Sequence, residues 1–158
     1  MTSNAIADFN AMPADAARAA LLACCSAPSW ADALTAARPF ATVDDLLAAA
    51  DAALVDIDID AALSGHPRIG DRPTSAASAR EQAGVEGDEV RAALAAGNRA
   101  YEAKFDHIYL VCAAGRSGEE LLAVLEARLG NDPATERDVM RTELGKINRL
   151  RLLRLVGE

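Results

Sequence analysis

The chain contains two histidines, and one of them, His66, sits where an imidazole can be aimed. It lies in Gly65-His66-Pro67-Arg68-Ile69-Gly70, and Asp71, Arg72 and Pro73 follow. Glycines, prolines and charges this dense read as a loop. Pro67 removes a backbone donor and holds the preceding residue extended, which restricts where the imidazole points. A side chain with a reference pKa of about 6.5 can take or give a proton near neutral pH. The same histidine could instead hydrogen-bond to a helix end. His107, beside Phe105 and Ile108, reads more simply as a packing or surface residue.

A second cluster is Ser78-Ala79-Arg80-Glu81-Gln82. On a helix Ser78, Glu81 and Gln82 share one face at i, i+3 and i+4. Three polar groups there could line a pocket or simply face water. A third segment, Gly115-Arg116-Ser117-Gly118, has the glycine and serine of a phosphate cradle but no Lys-Ser/Thr and no preceding strand. As a helix start it is the stronger reading. Cys24, Cys25 and Cys112 offer neither Cys-x-x-Cys nor His-x-x-x-His spacing, so the sequence gives no metal site. An odd number of cysteines, with no signal-peptide pattern from Met1 to Asn10, leads to the expectation of a reducing cytoplasm. A net charge of −8 argues against a nucleic-acid partner, and no apolar run is long enough for a membrane span.

The elements that must position these groups are helices. Hydrophobic residues are 51% of the chain and aromatics only 4%, and alanine supplies much of the difference. Alanine loses no side-chain entropy in a helix. Pro13 opens a run to Ala23 with Ala16, Ala19, Ala20 and Ala23 on one stripe, and Ser29 is the expected cap of the helix that Pro39 ends. Thr42 caps a helix over Val43 to Val55, and a short helical run lies within Asp56 to Gly65. Helices are predicted from Ser75 to Gly84 and from Glu86 to Lys104, the latter with Val90, Leu94, Gly97 and Tyr101 at helical spacing. Ser117 caps a helix with Leu121, Leu122, Leu125 and Leu129 on its apolar face, ending at Gly130-Asn131. A long helix over Glu136 to Val156 turns Met140, Leu144, Ile147, Leu150 and Leu153 inward. Ile108 to Cys112 has strand-like side chains but no second strand, and is expected to be one buried extended segment between helices. The expected fold is all-α, a single domain over residues 1–158 of about eight to nine helices around that segment.

Taken in order, these pieces resemble the 2-oxo-4-hydroxy-4-carboxy-5-ureidoimidazoline (OHCU) decarboxylases of uric acid breakdown. The resemblance rests on Cys24-Cys25 with Trp30, Arg38-Pro39-Phe40, His66-Pro67-Arg68-Ile69-Gly70 and Ser78-x-x-Glu81-Gln82. It continues through Asn98-x-x-Tyr101-x-x-x-Phe105, Gly115-Arg116-Ser117 and Glu143-Leu144-x-Lys146-Ile147-x-x-Leu150-Arg151-Leu152. It implies an all-helical homodimer that uses no cofactor or metal. The substrate would be the ureidoimidazoline and the product (S)-allantoin. By that resemblance His66 is the proton-handling catalytic residue, Glu81 the second catalytic group, and Pro67 shapes the pocket. Ser78, Ala79, Arg80 and Gln82 would bind substrate, as would the backbone of Tyr109, Leu110, Val111, Cys112 and Ala113. Arg116 is the candidate stand-in for an arginine that animal members tend to carry at the position of Ala114. Another ureide-pathway hydrolase or epimerase, or a non-catalytic helical binding module, would fit the bare residue pattern as well.

Overall fold

In the computed structural model the described residues are 2–55, 57–63 and 87–156, with side chains from Ala5 onward. They contain α1 (Thr2–Ala11), α2 (Ala14–Cys24), α3 (Pro28–Ala37), α4 (Val43–Leu54), α5 (Ile59–Leu63), α6 (Asp88–Phe105), α7 (Gly118–Arg128) and α8 (Pro133–Leu155). No strand occurs among the described residues, and the fold is all-α as expected. No helix among them is long and apolar enough to cross a membrane. His66 and Pro67, Ser78 through Gln82, and the helix predicted from Ser75 to Gly84 lie outside the described residues.

The described residues group into two compact units, one from 1–65 with 145–158 and the other from 66–144. In the first, α3 packs on both α2 and α4. Thr42 caps α4 as expected, its hydroxyl accepting from Asp45 N–H at 3.1 Å. Pro28 rather than Ser29 begins α3, with Ala27 at the cap position; its missing N–H is one that a first turn leaves unpaired anyway. The alanine stripe read on α2 is not its buried face. Ala16, Ala19 and Ala23 are exposed, and Ala17, Leu21 and Cys24 form the buried face. In so alanine-rich a helix, Leu21 and Cys24 mark the buried side.

Several residues of the ordered motifs serve this unit as main-chain anchors. Arg38 Nη1 donates to Phe9 O at 2.9 Å and Met12 O at 2.8 Å, adding side-chain bonds to carbonyls at and just past the end of α1. Asn10 grips Phe40 at both main-chain groups, donating to its carbonyl at 2.8 Å and accepting from its N–H at 2.9 Å. Trp30, fully buried, donates its indole N–H to Ala50 O at 3.2 Å. Arg151 Nη1 reaches Cys24 O at 3.1 Å, at the end of α2.

In the second unit α6 lies close on α7, and Gly97 is the reason it can. A Cβ on Gly97 would stand 2.5 Å from Leu125 Cδ2, whose side chain is fully buried. The long C-terminal helix begins at Pro133, three residues before the sequence expectation, with Asp132 Oδ1 accepting from Thr135 N–H at 2.7 Å. Its buried positions include Met140, Leu144 and Ile147 as expected, whereas Leu150 and Leu153 are only partly buried. Glu136, Glu143, Arg151 and Leu152 are buried instead. Gly97→Val should destabilise the fold by about 1–3 kcal/mol through overpacking, while Ala95→Val on the exposed side of α6 should cost far less. Urea unfolding of the two variants measures the difference.

Candidate active site

Two left-handed residues bracket the passage that the sequence marked out as extended. Asp106, at φ 65°, ends α6 with its N–H on Glu102 O, and aspartate tolerates this conformation better than most residues. Gly115, at φ 76°, turns the chain back so that Arg116 N–H meets Ala113 O at 3.1 Å. Ser117 then opens α7 with a full capping box, accepting from Glu120 N–H at 3.1 Å. The Gly115-Arg116-Ser117 segment is therefore a helix start, the stronger of its two readings.

Between these brackets Tyr109 to Ala113 has no helical or sheet hydrogen bonding and is buried throughout. Tyr109, Val111 and Ala113 join the core cluster of Leu94, Tyr101, Phe105, Leu121 and Leu125, while Leu110 and Cys112 do not belong to it. Alternation with period two is the mark of an extended chain. Residues two apart in such a chain present their main-chain groups to the same edge. On one edge Leu110 O accepts from Arg128 Nη1 at 2.6 Å, and Cys112 N–H donates to Glu143 Oε1 at 3.1 Å. A neighbouring parallel strand would meet those same two groups with the N–H and C=O of one residue. Here α7 supplies the donor and α8 the acceptor. The opposite edge belongs to Tyr109, Val111 and Ala113. Val111 N–H and C=O make no hydrogen bond among the described residues.

A buried ionic cluster stands behind the held edge. Glu136 is fully buried and takes three hydrogen bonds from Arg128, two from Nε at 2.8 and 3.0 Å and one from Nη2 at 2.5 Å. Tyr101 donates its hydroxyl to the same carboxylate, and Asn131 adds a bond at 3.3 Å. Burial pushes the Glu136 carboxyl up, but the bonds from Arg128 and Tyr101 outweigh it and hold the group below the usual carboxylate range. Burial likewise opposes the charge on Arg128, and the hydrogen bonds to Glu136 overcome it, so the guanidinium's pKa rises. Both phenols titrate well above the ordinary tyrosine range, chiefly through burial. The Arg128 guanidinium also stands 4.9 Å from the centre of the Tyr109 ring, whose hydroxyl donates to Leu121 O at 2.9 Å. Arg116 is close enough for its charge to act against the rise in Tyr109. His107 packs edge-on to Tyr101 and stacked on Phe105, consistent with the packing role.

Of the sequence-predicted site residues, the structure brings together Tyr109 through Ala113 with Arg116 close to Tyr109. His66, Pro67, Ser78, Ala79, Arg80, Glu81 and Gln82 lie outside the described residues. Arg128, Glu136 and Glu143 were missed as supports of the passage. A signal for them existed. Arg128 continues the stripe Leu121-Leu125, and Glu136 and Glu143 fall on the same helical stripe as Met140 and Ile147, where a charge must be paired. Among the described residues no group of three or more His, Cys, Asp or Glu could hold a metal ion.

The class is thus an all-α protein in which helix side chains hold one extended passage by a single edge. The family follows from comparison. A family model described as OHCU decarboxylase matches residues 10–153, and the chain belongs to that family. It is 28% identical over 148 residues to the uric acid degradation bifunctional protein TTL of Arabidopsis thaliana, covering 85% of this chain and 46% of that protein. It is 42% identical over 55 residues to an OHCU decarboxylase of Amia calva, covering 35% of this chain and 31% of that one. The chain thus spans less than half the length of each of these curated relatives. Its fold matches the crystal structure of an OHCU decarboxylase in the presence of (S)-allantoin with a TM-score of 0.77 at 27% identity. That match covers 87% of this chain and 96% of the other. A crystal structure of (S)-allantoin synthase shares the fold with a TM-score of 0.68 at 21% identity, over 95% of this chain and 53% of the other.

The buried ion pair gives a prediction with a definite sign. Because the Glu136 pKa is depressed on folding, its contribution is fully present above the unfolded glutamate value, about 4.3, and is lost as pH falls through the folded value. Glu136→Gln should lose about 3–5 kcal/mol at neutral pH, since it leaves Arg128 charged and buried, and should flatten the acid limb of the stability profile. Denaturant unfolding from pH 7 to pH 3 measures both effects.

Proposed function

We propose that the chain decarboxylates 2-oxo-4-hydroxy-4-carboxy-5-ureidoimidazoline to (S)-allantoin. The observation that carries this reading is the match of the family model across residues 10–153. The likeness to a decarboxylase structure determined in the presence of (S)-allantoin supports it.

The chemistry asks little of the protein beyond orientation and proton transfer. The substrate carries a carboxylate and a hydroxyl on one ring carbon, beside a carbon–nitrogen double bond. When the bond to the carboxylate breaks, carbon dioxide leaves and the electron pair moves into that double bond. The substrate is its own electron sink, so no electron-accepting cofactor is called for. Protonation on one face then gives one enantiomer of allantoin. In this reading His66 exchanges the proton with the hydroxyl or leaving-group region, on a loop stiffened by Pro67. Glu81 grips ring or ureido N–H groups, with Ser78, Ala79, Arg80 and Gln82 beside it. The backbone of Tyr109 to Ala113 meets the ring and ureido groups. Val111 suits this role because it offers an N–H and a C=O side by side on the unheld edge, the pattern a cyclic urea complements. Arg116, near Tyr109, is the cation for the substrate's carboxylate.

A homodimer and a cytoplasmic location belong to the same proposal, the latter supported by three buried cysteines, none of them in a disulfide among the described residues, which suits a reducing compartment. His66→Asn should lower turnover on the order of 10²–10⁴-fold. The assay is carbon dioxide release from freshly made substrate, together with circular dichroism of the allantoin formed. Racemic allantoin at the spontaneous rate from the unaltered protein would sink the assignment.

A further inference from the structure

A buried carboxylate opposite a main-chain N–H needs a reason, because desolvating it is costly unless its bonds matter. Glu143 is 6% exposed, lies on the inner side of α8, and accepts from Cys112 N–H at 3.1 Å. It is not part of the Arg128–Glu136 pair, which holds the passage two residues earlier at Leu110 O. The two grips differ in polarity and sit on the same edge, so together they fix both the register and the rotation of the extended chain. A one-residue slip would bring Val111 to the held edge and turn Tyr109, Val111 and Ala113 out of the core cluster.

We infer that Glu143 is a positioning residue for the reaction: through Cys112 N–H it sets which edge of Tyr109–Ala113 faces the ligand. The inference rests on the proposed decarboxylase reading, in which that backbone meets the substrate. Glu143 touches no reacting atom. It acts by keeping the Val111 N–H and C=O aligned, and small misplacements of orienting groups are expensive in rate.

The test compares Glu143→Leu with Glu143→Gln in the full chain. Leucine fills the buried space but accepts no hydrogen bond, whereas glutamine keeps an acceptor oxygen. With freshly generated substrate, E143L should lose about 10- to 100-fold in kcat/KM, mainly in kcat, because the binding groups remain but are misaligned. E143Q should recover most of that loss. Hydrogen exchange at the Cys112 amide should speed up in E143L and stay slow in E143Q, with melting temperatures of both variants well above the assay temperature. An E143L protein that matches the parent in kcat/KM overturns the inference, whatever its melting temperature, because Glu143 would then be merely structural. Equal losses in E143Q and E143L overturn it too, since charge rather than the acceptor oxygen would then matter. A parent protein that releases no carbon dioxide instead overturns the reading beneath it.

Discussion

The ion pair between Arg128 and Glu136 is the interaction on which the second unit depends. Both side chains are almost wholly withdrawn from water, and a buried pair returns its desolvation cost only when its remaining donors and acceptors are also used. Here they are. Arg128 spends donors on Glu136 and one on Leu110 O, and Glu136 takes further bonds from Tyr101 and Asn131. One cluster therefore fixes α6 through Tyr101, α7 through Arg128, α8 through Glu136 and the extended passage through Leu110. A hydrophobic substitute of equal volume could fill the space, but it could not hold a carbonyl at a chosen point.

That constraint explains how an extended segment with no strand beside it among the described residues survives in an all-α fold. A strand with no neighbour leaves its ladder groups unpaired, and burial makes this costly. The fold meets the cost on one edge with side chains, a guanidinium for the carbonyl and a carboxylate for the N–H. Alternate side chains anchor one face in the helical core. What is left is a single edge, and in the proposed reading that edge meets the substrate. In the proposed chemistry this is the useful economy, because orientation is most of what the substrate requires.

The sequence discloses helices better than it discloses what helices hold. Thr42 and Ser117 were legible as caps because a capping serine or threonine acts on its own first turn, within three residues. Pro133, with Asp132 ahead of it, carried an equally local start signal, but the sequence reading began that helix only at Glu136. The inward face of α2 was not legible because alanine on every side erases the periodicity on which such readings rest. Arg128, Glu136 and Glu143 were not legible as a set, because each bonds a partner eight or more residues away. Spacing along one helix cannot reveal a partner on another element.

The residues that announce the family are also, in part, the residues that close helix ends. Arg38 serves the carbonyls at the end of α1, Arg151 a carbonyl at the end of α2, and Trp30 a carbonyl within α4. Each adds a side-chain donor to a main-chain carbonyl and so ties one element to another. An arginine can reach several such acceptors from one stem, which makes it hard to exchange for lysine or for an apolar residue at these places. Motif and function are therefore joined indirectly in the first unit. Its recognisable residues keep a helical frame in shape, whereas in the second unit Glu143, from the same kind of motif, holds an extended stretch of backbone by its Cys112 N–H.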